Sequence, residues 1–403
     1  MIGIKRAGNI DWGLFIVLYA LFFLPKIGYI DLKSIVLFIV FCLHIKNSRI
    51  KLGKDSLIKG IVFAIILLLL LFLINALVHK EASVGIALRY ARALFSIVCL
   101  GAYLSGKEID KQTFFKTLFC VMALHMVAIY ASMIFPQTRR LIYVLSGYKT
   151  RELRLRSSGL VSGYDVAGYY LNALFFINVY YNLKYKNKPF SLYTIAIIIA
   201  TVFTSRINTL LLILQVFLFS VYLLRKKKLS LGSGLLIIIP IVLIGGVFSF
   251  LTLDVFAGIK QSLVERVGWI RALNKIVVYS YSNSKVVAAA STHYKIGSDV
   301  NLVLGNGIKA PYDPGIINTI YEGGIIALVI KVACYLTVGL KAFGRRSKSE
   351  YSYIIIYLVI LTTFFESKLV FYFASGVFEL MLIFVYLFQS ECFSKNKDNS
   401  GGA

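Results

Sequence analysis

Long apolar runs fill this chain from end to end, and they fix the solvent in which it can fold. Residues 61–77 read IVFAIILLLLLFLINAL and residues 235–253 read LLIIIPIVLIGGVFSFLTL. Each is close to the roughly 20 residues needed to cross about 30 Å of hydrocarbon. A closed β-barrel is the other way to span a bilayer, but its strands run about 10 residues and alternate apolar with polar. The runs here are continuous, so they predict helices. Of 403 residues, 59% are hydrophobic and 15% charged. No polar stretch is long enough to build a separate water-soluble core.

The pattern predicts twelve spans, at 12–30, 32–45, 59–78, 83–105, 114–135, 164–183, 190–205, 207–224, 233–253, 316–340, 351–365 and 369–388. The expected fold is all-α, a polytopic membrane helical bundle forming a single integral domain over residues 1–403. The first run resembles a secretory signal, but it lacks a small-residue cleavage site and ends at Pro25-Lys26, which predicts an uncleaved span. Cys42, Cys99, Cys120 and Cys334 fall within spans and Cys392 in the tail. That placement predicts core packing rather than a disulfide framework.

Lysine and arginine set the orientation through the short loops. One alternate set carries Lys5-Arg6, then Lys46, Arg49, Lys51 and Lys54, and later Arg225-Lys226-Lys227-Lys228. The short loops on the other side are almost bare. Both termini are therefore expected in the cytoplasm. Two longer outer loops break the pattern. Residues 136–163 form a smaller periplasmic loop with Arg139, Arg140, Lys149, Arg151, Arg154 and Arg156. Residues 254–315 form a large one that includes Arg266, Arg271 and Lys275. These cations read either as a solvated or headgroup-facing surface, or as an electropositive pocket for an anion. Arginine suits the second reading because its planar fork holds two phosphate oxygens at once.

Several constellations carry candidate chemistry. Residues 151–165 read RELRLRSSGLVSGYD, placing Arg154 and Arg156 before two small-residue turns and a helix start near Asp165. That is an anion site, or a basic loop ended by an Asp cap. Ser205-Arg206 sits at a tight turn, where the arginine either snorkels to headgroups or points inward at a phosphate. Arg89 and Arg92 share one face of the fourth span, where a cation needs a partner or water. Gly305-Asn306-Gly307, Pro311-Tyr312-Asp313-Pro314-Gly315 and Glu322-Gly323-Gly324 mark the return of the long loop to the membrane. Asp313 is there a helix cap or a carboxylate that orients a hydroxyl. Lys331 and Glu379, near mid-depth of the tenth and twelfth spans, are expected to pair as a structural ion bridge. His293 is a solvated loop histidine or a second candidate base. No P-loop or metal-ligand spacing is present.

These elements, in this order, resemble those of the bacterial O-antigen polymerase and ligase superfamily. Arg156-Ser157-Ser158-Gly159 is similar to the arginine-plus-glycine element that closes an earlier periplasmic loop, and Ser205-Arg206 to the Ser-Arg pair between two later spans. Leu304-Gly305-Asn306-Gly307 is similar to the Gly-x-Gly element of the large loop. Asp313-Pro314-Gly315, with Gly324 eleven residues beyond Asp313, resembles the polymerase form of the re-entry element. A histidine usually stands at that Asp in the ligase branch, and Pro314 departs from the small polar residue common there. The resemblance covers about residues 150–330.

The resemblance implies a metal-independent glycosyltransferase without cofactor, in the bacterial inner membrane with a periplasmic active site. Its substrates would be undecaprenyl-diphosphate-linked oligosaccharides, and the growing glycan would pass onto a new lipid-linked repeat unit. Asp313 would orient the acceptor, with His293 second. Arg154, Arg156, Arg206, Arg271 and Arg89 would face the departing pyrophosphate. The implied partners are membrane lipid and, as a further candidate, a chain-length regulator, with no nucleic acid. Two other expectations stand beside it: ligation of finished glycan to another lipid acceptor, and transport or flipping of an anionic lipid-linked glycan. A transporter would often show two related halves, whereas here the charged loops cluster on one side.

Overall fold

The computed structural model describes residues 10–27, 30–45, 57–79, 82–105, 109–146, 156–186, 191–225, 294, 296–311, 314–347 and 349–400. Twelve helices and one two-stranded hairpin appear among them. The helices are α1 (Trp12–Phe23), α2 (Leu32–His44), α3 (Leu57–Val78), α4 (Val84–Ser105), α5 (Lys111–Ile134) and α6 (Pro136–Ser146). They continue with α7 (Tyr164–Tyr185), α8 (Leu192–Val202), α9 (Arg206–Arg225), α10 (Gly315–Gly344), α11 (Tyr351–Glu366) and α12 (Val377–Ser400). The strands β1 (Lys26–Ile27) and β2 (Ile30–Asp31) pair antiparallel between α1 and α2. Helices α3, α4, α5 and α10 are long and apolar enough to cross a membrane, and five shorter apolar helices accompany them. The chain is a helical membrane protein.

Residues 1–209 with 296–403 form one compact unit and residues 210–295 a second. Of the second, the described residues are the later part of α9 and Tyr294.

Local sequence chemistry starts several helices. Asp11, Asp31 and Asp110 occupy the N-cap positions of α1, α2 and α5, and each carboxylate accepts a backbone N–H of the first turn. Ser191 and Thr194 form a reciprocal capping box at α8. Small residues let helices approach closely, as is common between membrane helices. A Cβ on Gly168 of α7 would lie 1.8 Å from Asn208 Nδ2 of α9. Asn208 uses that space to donate to the Tyr164 carbonyl at 3.2 Å.

The elements depart from the expected spans in three places. The first helix stops at Phe23, because Pro25 cannot continue it and the hairpin turns the chain back. Residues 136–146, expected as loop, form the amphipathic helix α6, with Leu141, Val144 and Leu145 exposed and Ile142 and Tyr143 packed on Ala128. The last helix begins at Val377, so residues 367–376 are a non-helical strap after α11. The expected span at 233–253 lies outside the described residues.

Helix α10 is two helices joined by a break. Gly323 (φ −156°, ψ 21°) and Gly324 (φ 66°, ψ −165°) leave helical geometry. Gly324 has the left-handed φ that glycine tolerates and other residues rarely adopt. The freed backbone groups must find partners inside the protein, since lipid offers none. Residues 301–307 supply them. Ile325 N–H donates to the Leu302 carbonyl at 2.8 Å, and Asn306 N–H to the Tyr321 carbonyl at 2.9 Å. From α3, the Asn75 amide donates to the carbonyls of Leu304 (2.6 Å) and Glu322 (3.1 Å).

Candidate functional site

The site lies at the distal end of the first unit, meaning the end where α1, α3, α5, α8 and α11 finish and α2, α4, α7, α10 and α12 begin. Two polar clusters form there, and the 367–376 strap touches both.

The first cluster surrounds the break in α10. The loop fits against it because both contribute glycine. A Cβ on Gly305 (φ +69°) would lie 2.6 Å from the nitrogens of Gly323 and Gly324, and one on Gly324 would lie 2.1 Å from the Val303 carbonyl oxygen. Beside the break, Glu322 binds Arg89 of α4 through Oε1 at 2.8 Å and Lys331 through Oε2 at 3.2 Å. Lys331 is fully buried, and its Nζ also donates to Thr319 Oγ1 at 2.8 Å. The Thr319 hydroxyl donates in turn to Glu366 Oε1, and Glu366 Oε2 accepts the backbone N–H groups of Phe371 and Tyr372 in the strap. Arg89, Glu322 and Lys331 persist as buried charges because each is paired and hydrogen-bonded.

The second cluster joins the arginine-containing turn to the α8–α9 turn. Ser157 N–H donates to the Phe203 carbonyl at 2.7 Å. The Ser157 hydroxyl accepts from Gly159 N–H at 3.1 Å and pairs with the Ser132 hydroxyl of α5. Gly159 (φ +54°) approaches His125 so closely that a Cβ would lie 2.8 Å from the ring. His125 Nδ1 accepts the Leu160 N–H at 3.2 Å. The Ser205 hydroxyl donates to Asp165 Oδ1 at 2.6 Å, and Lys368 of the strap reaches the same oxygen at 2.6 Å.

Arg92 reaches the strap as well. Its Nη2 donates to the Phe373 carbonyl at 2.7 Å, and its Nε lies 3.9 Å from Glu379 Oε1. Glu379 also accepts from Ser96 Oγ at 2.9 Å. Phe373 is a non-glycine residue with positive φ, at 57°, which marks the strap as a constrained segment.

No family model, curated protein or solved structure matches this chain. A functional reading therefore rests on the sequence pattern and this geometry.

The structure places the expected residues as follows. Arg89 and Arg92 both turn into the bundle, Arg89 onto Glu322 and Arg92 onto the strap. Arg156 is half-buried at the start of the Ser157–Gly159 turn, and its carbonyl accepts from the Tyr143 hydroxyl at 3.2 Å. Arg206 is the first residue of α9. Its side chain, like Arg154, Arg271, His293 and Asp313, lies outside the described residues. Pro314 holds the N-cap position of α10, without a side-chain capping bond.

Two expectations are corrected. Lys331 and Glu379 do not pair with each other: Lys331 takes Glu322, and Glu379 faces Arg92 and Ser96. Spacing along the chain gives depth in the bilayer, but not which helices are neighbours. Asp165 does not cap α7, whose N-cap is Gly163 without a side-chain bond; its carboxylate is turned sideways to Ser205 and Lys368. Sequence reasoning also missed Asn75, Thr319 and Glu366. Asn75 had a signal, being a lone amide in an otherwise apolar run.

Proposed function

We propose that this chain is a metal-independent glycosyltransferase acting on polyprenyl-diphosphate-linked glycans, an O-antigen-type polymerase of the inner membrane. In this reading it has twelve spans and cytoplasmic termini, and the distal end faces the periplasm. The observation that carries the reading is the bond from Ser157 N–H to the Phe203 carbonyl. With the Asp165–Ser205 bond, it supports the reading by setting the backbone after Arg156 against the turn that precedes Arg206. Two basic elements 50 residues apart by number, 156 and 206, are thereby neighbours at one end of the bundle.

The chemistry asks for such a grouping. The bond from the anomeric carbon of the growing glycan to its diphosphate oxygen breaks, and the acceptor hydroxyl oxygen bonds to that carbon. The acceptor proton leaves, and the lipid diphosphate departs with the bonding electron pair. Charge grows on the leaving oxygen, and fixed guanidinium groups stabilise it best in a partly dry site. Arg154, Arg156, Arg206 and Arg271 take that role, with Arg89 further in. Asp313 orients the acceptor hydroxyl and His293 is the second choice. Arginines nearby favour an ionised Asp313 but weaken it as a base, so orientation is its larger part.

The test is mass analysis of lipid-linked glycan in cells lacking the chain. A single unpolymerised repeat unit should accumulate, and restoring the chain should restore a ladder on the carrier lipid. Accumulation of full-length ladder on the carrier would instead identify a ligase. Translocation of glycan by the purified chain in liposomes, without lengthening, would identify a transporter.

A further inference from the structure

The reading above leaves unused an open cleft at the distal end, with a volume of about 170 Å³. It lies between the α1–α2 hairpin, α4, the turn before α7 and the strap. Lys33, Arg92 and Asp31 line it, with the hydroxyls of Ser162 and Ser375. Phe22, Phe23 and Tyr170 supply aromatic wall, with the Phe22 and Tyr170 rings 5.5 Å apart.

Two polar groups in this wall lack hydrogen-bond partners. Tyr170 is 1% exposed and its hydroxyl bonds to nothing. Arg92 Nε is likewise without a hydrogen bond. A buried hydroxyl left unpaired is unfavourable, and Tyr170 is among the residues that line the cleft. Room for that hydroxyl is made by Gly376, where a Cβ would lie 1.9 Å from it.

The charges decide the class of ligand. Lys33 and Arg92 are matched by Asp31 in the wall and by Glu379 behind Arg92. Two cations against two carboxylates leave no surplus for a diphosphate. The remaining features are donors and acceptors side by side over aromatic surface. That combination suits a neutral ring whose hydroxyls both donate and accept and whose C–H face covers an aromatic one. The size admits one such ring.

We infer that this cleft binds a single neutral sugar ring, with the Tyr170 hydroxyl as a specificity-determining contact at its base. The source of the ring, a lipid-linked glycan, rests on the proposed function; the binding itself does not.

The full chain in phospholipid nanodiscs, free of glycoside detergent, is observed by saturation-transfer NMR. The probes are the methyl glycosides of glucose, galactose, mannose, N-acetylglucosamine and N-acetylgalactosamine. At least one should give a saturable signal, weakened about tenfold or more by Tyr170→Phe, as expected where a site built to bond a hydroxyl loses its partner. Ser162→Ala, at an exposed rim position, should weaken it in the same direction and serves if Tyr170→Phe does not fold. Absence of a saturable signal from every glycoside overturns the inference, as does a signal that neither variant changes. One-for-one displacement of glycoside by inorganic pyrophosphate also overturns it and makes the cleft an anion site. Glycoside binding retained by a chain that extends no glycan would remove the polymerase reading and leave this one standing.

Discussion

Glu322 and Lys331 are nine positions apart on α10, yet their side chains meet at 3.2 Å. On an unbroken helix, nine residues rise about 13.5 Å and turn through two and a half revolutions, so the two would point apart. The break at Gly323–Gly324 re-aims the second half of α10 and lets them meet. The ion pair and the break are one feature.

Glu322→Gln should therefore be severely destabilising. It leaves Arg89 and Lys331 without their shared carboxylate, and removing one member of a buried pair costs about 3–5 kcal/mol. Thermal unfolding in detergent would show a large drop in midpoint. Adding Lys331→Met should recover part of it, because one stranded cation is then gone. A double variant as unstable as the sum of the singles would show that the two residues are not coupled.

Gly305→Ala should disrupt the docking of the loop on the break. The new methyl would meet two backbone nitrogens at 2.6 Å, at a φ of +69°. Overpacking costs about 1–3 kcal/mol, and the left-handed backbone adds about 1–2 kcal/mol for a non-glycine residue. Gly60→Ala in α3 is the control. Nothing lies within 4 Å of its Cβ, so helix propensity should make it neutral or stabilising by up to about 1 kcal/mol. Comparable loss of stability in both variants would contradict this account.

The proximal end gives a pH dependence. Glu350, just before α11, accepts from the Tyr185 hydroxyl at 2.6 Å and pairs with Lys184 at 2.9 Å and Lys111 at 3.3 Å. Burial alone would push its carboxyl up, but the bonds from Tyr185 and Lys184 and the Lys111 charge outweigh it and hold it below the ordinary value of 4.5. A carboxyl lowered in the folded state contributes fully above its unfolded value and loses that contribution as pH falls through the folded one. The melting midpoint should thus be insensitive to Glu350 above about pH 5 and decline below about pH 4.5. Glu350→Gln should flatten part of that acid slope. An unchanged slope in this variant would exclude Glu350 as its source.

Arg156→Ala and Arg206→Ala should leave the protein in the membrane and reduce glycan extension by about 100- to 1,000-fold each, the loss seen when one fixed transition-state donor is removed. Lysine at either position should restore only part, because it keeps the charge without the two-pronged geometry. Ladder lengths on gels of extracted lipid-linked glycan would report this. Normal ladders in both alanine variants would remove these arginines from the mechanism.

Much of this was legible from residue order. Uninterrupted apolar runs announced the helices, since a spanning backbone must bond to itself. The glycines at 305, 307 and 324 marked this turn; those at 305 and 324 do meet at the break, whereas Gly307 faces Ala82 and Asn75. The inward turn of Arg89 followed from the cost of leaving a cation in lipid. Pairings between distant segments were not legible: nothing in the spacing of Lys331 says that Glu322, on its own element, will be brought round to it. Helix α6 could have been found, because PQTRRLIYVLS carries apolar residues on helical spacing, but its two arginines made it read as loop.

The interrupted helix also bears on how the protein assembles. Its partners in 301–307 lie about 20 residues away in the chain, as with Leu302 and Ile325, while Asn75 comes from 229 residues upstream of Leu304. Contacts close in sequence form with little loop-closure cost, and remote ones arrive later. The docked turn at 301–307 can thus be complete soon after synthesis passes it, and α3, made long before, is the latch that closes over finished work.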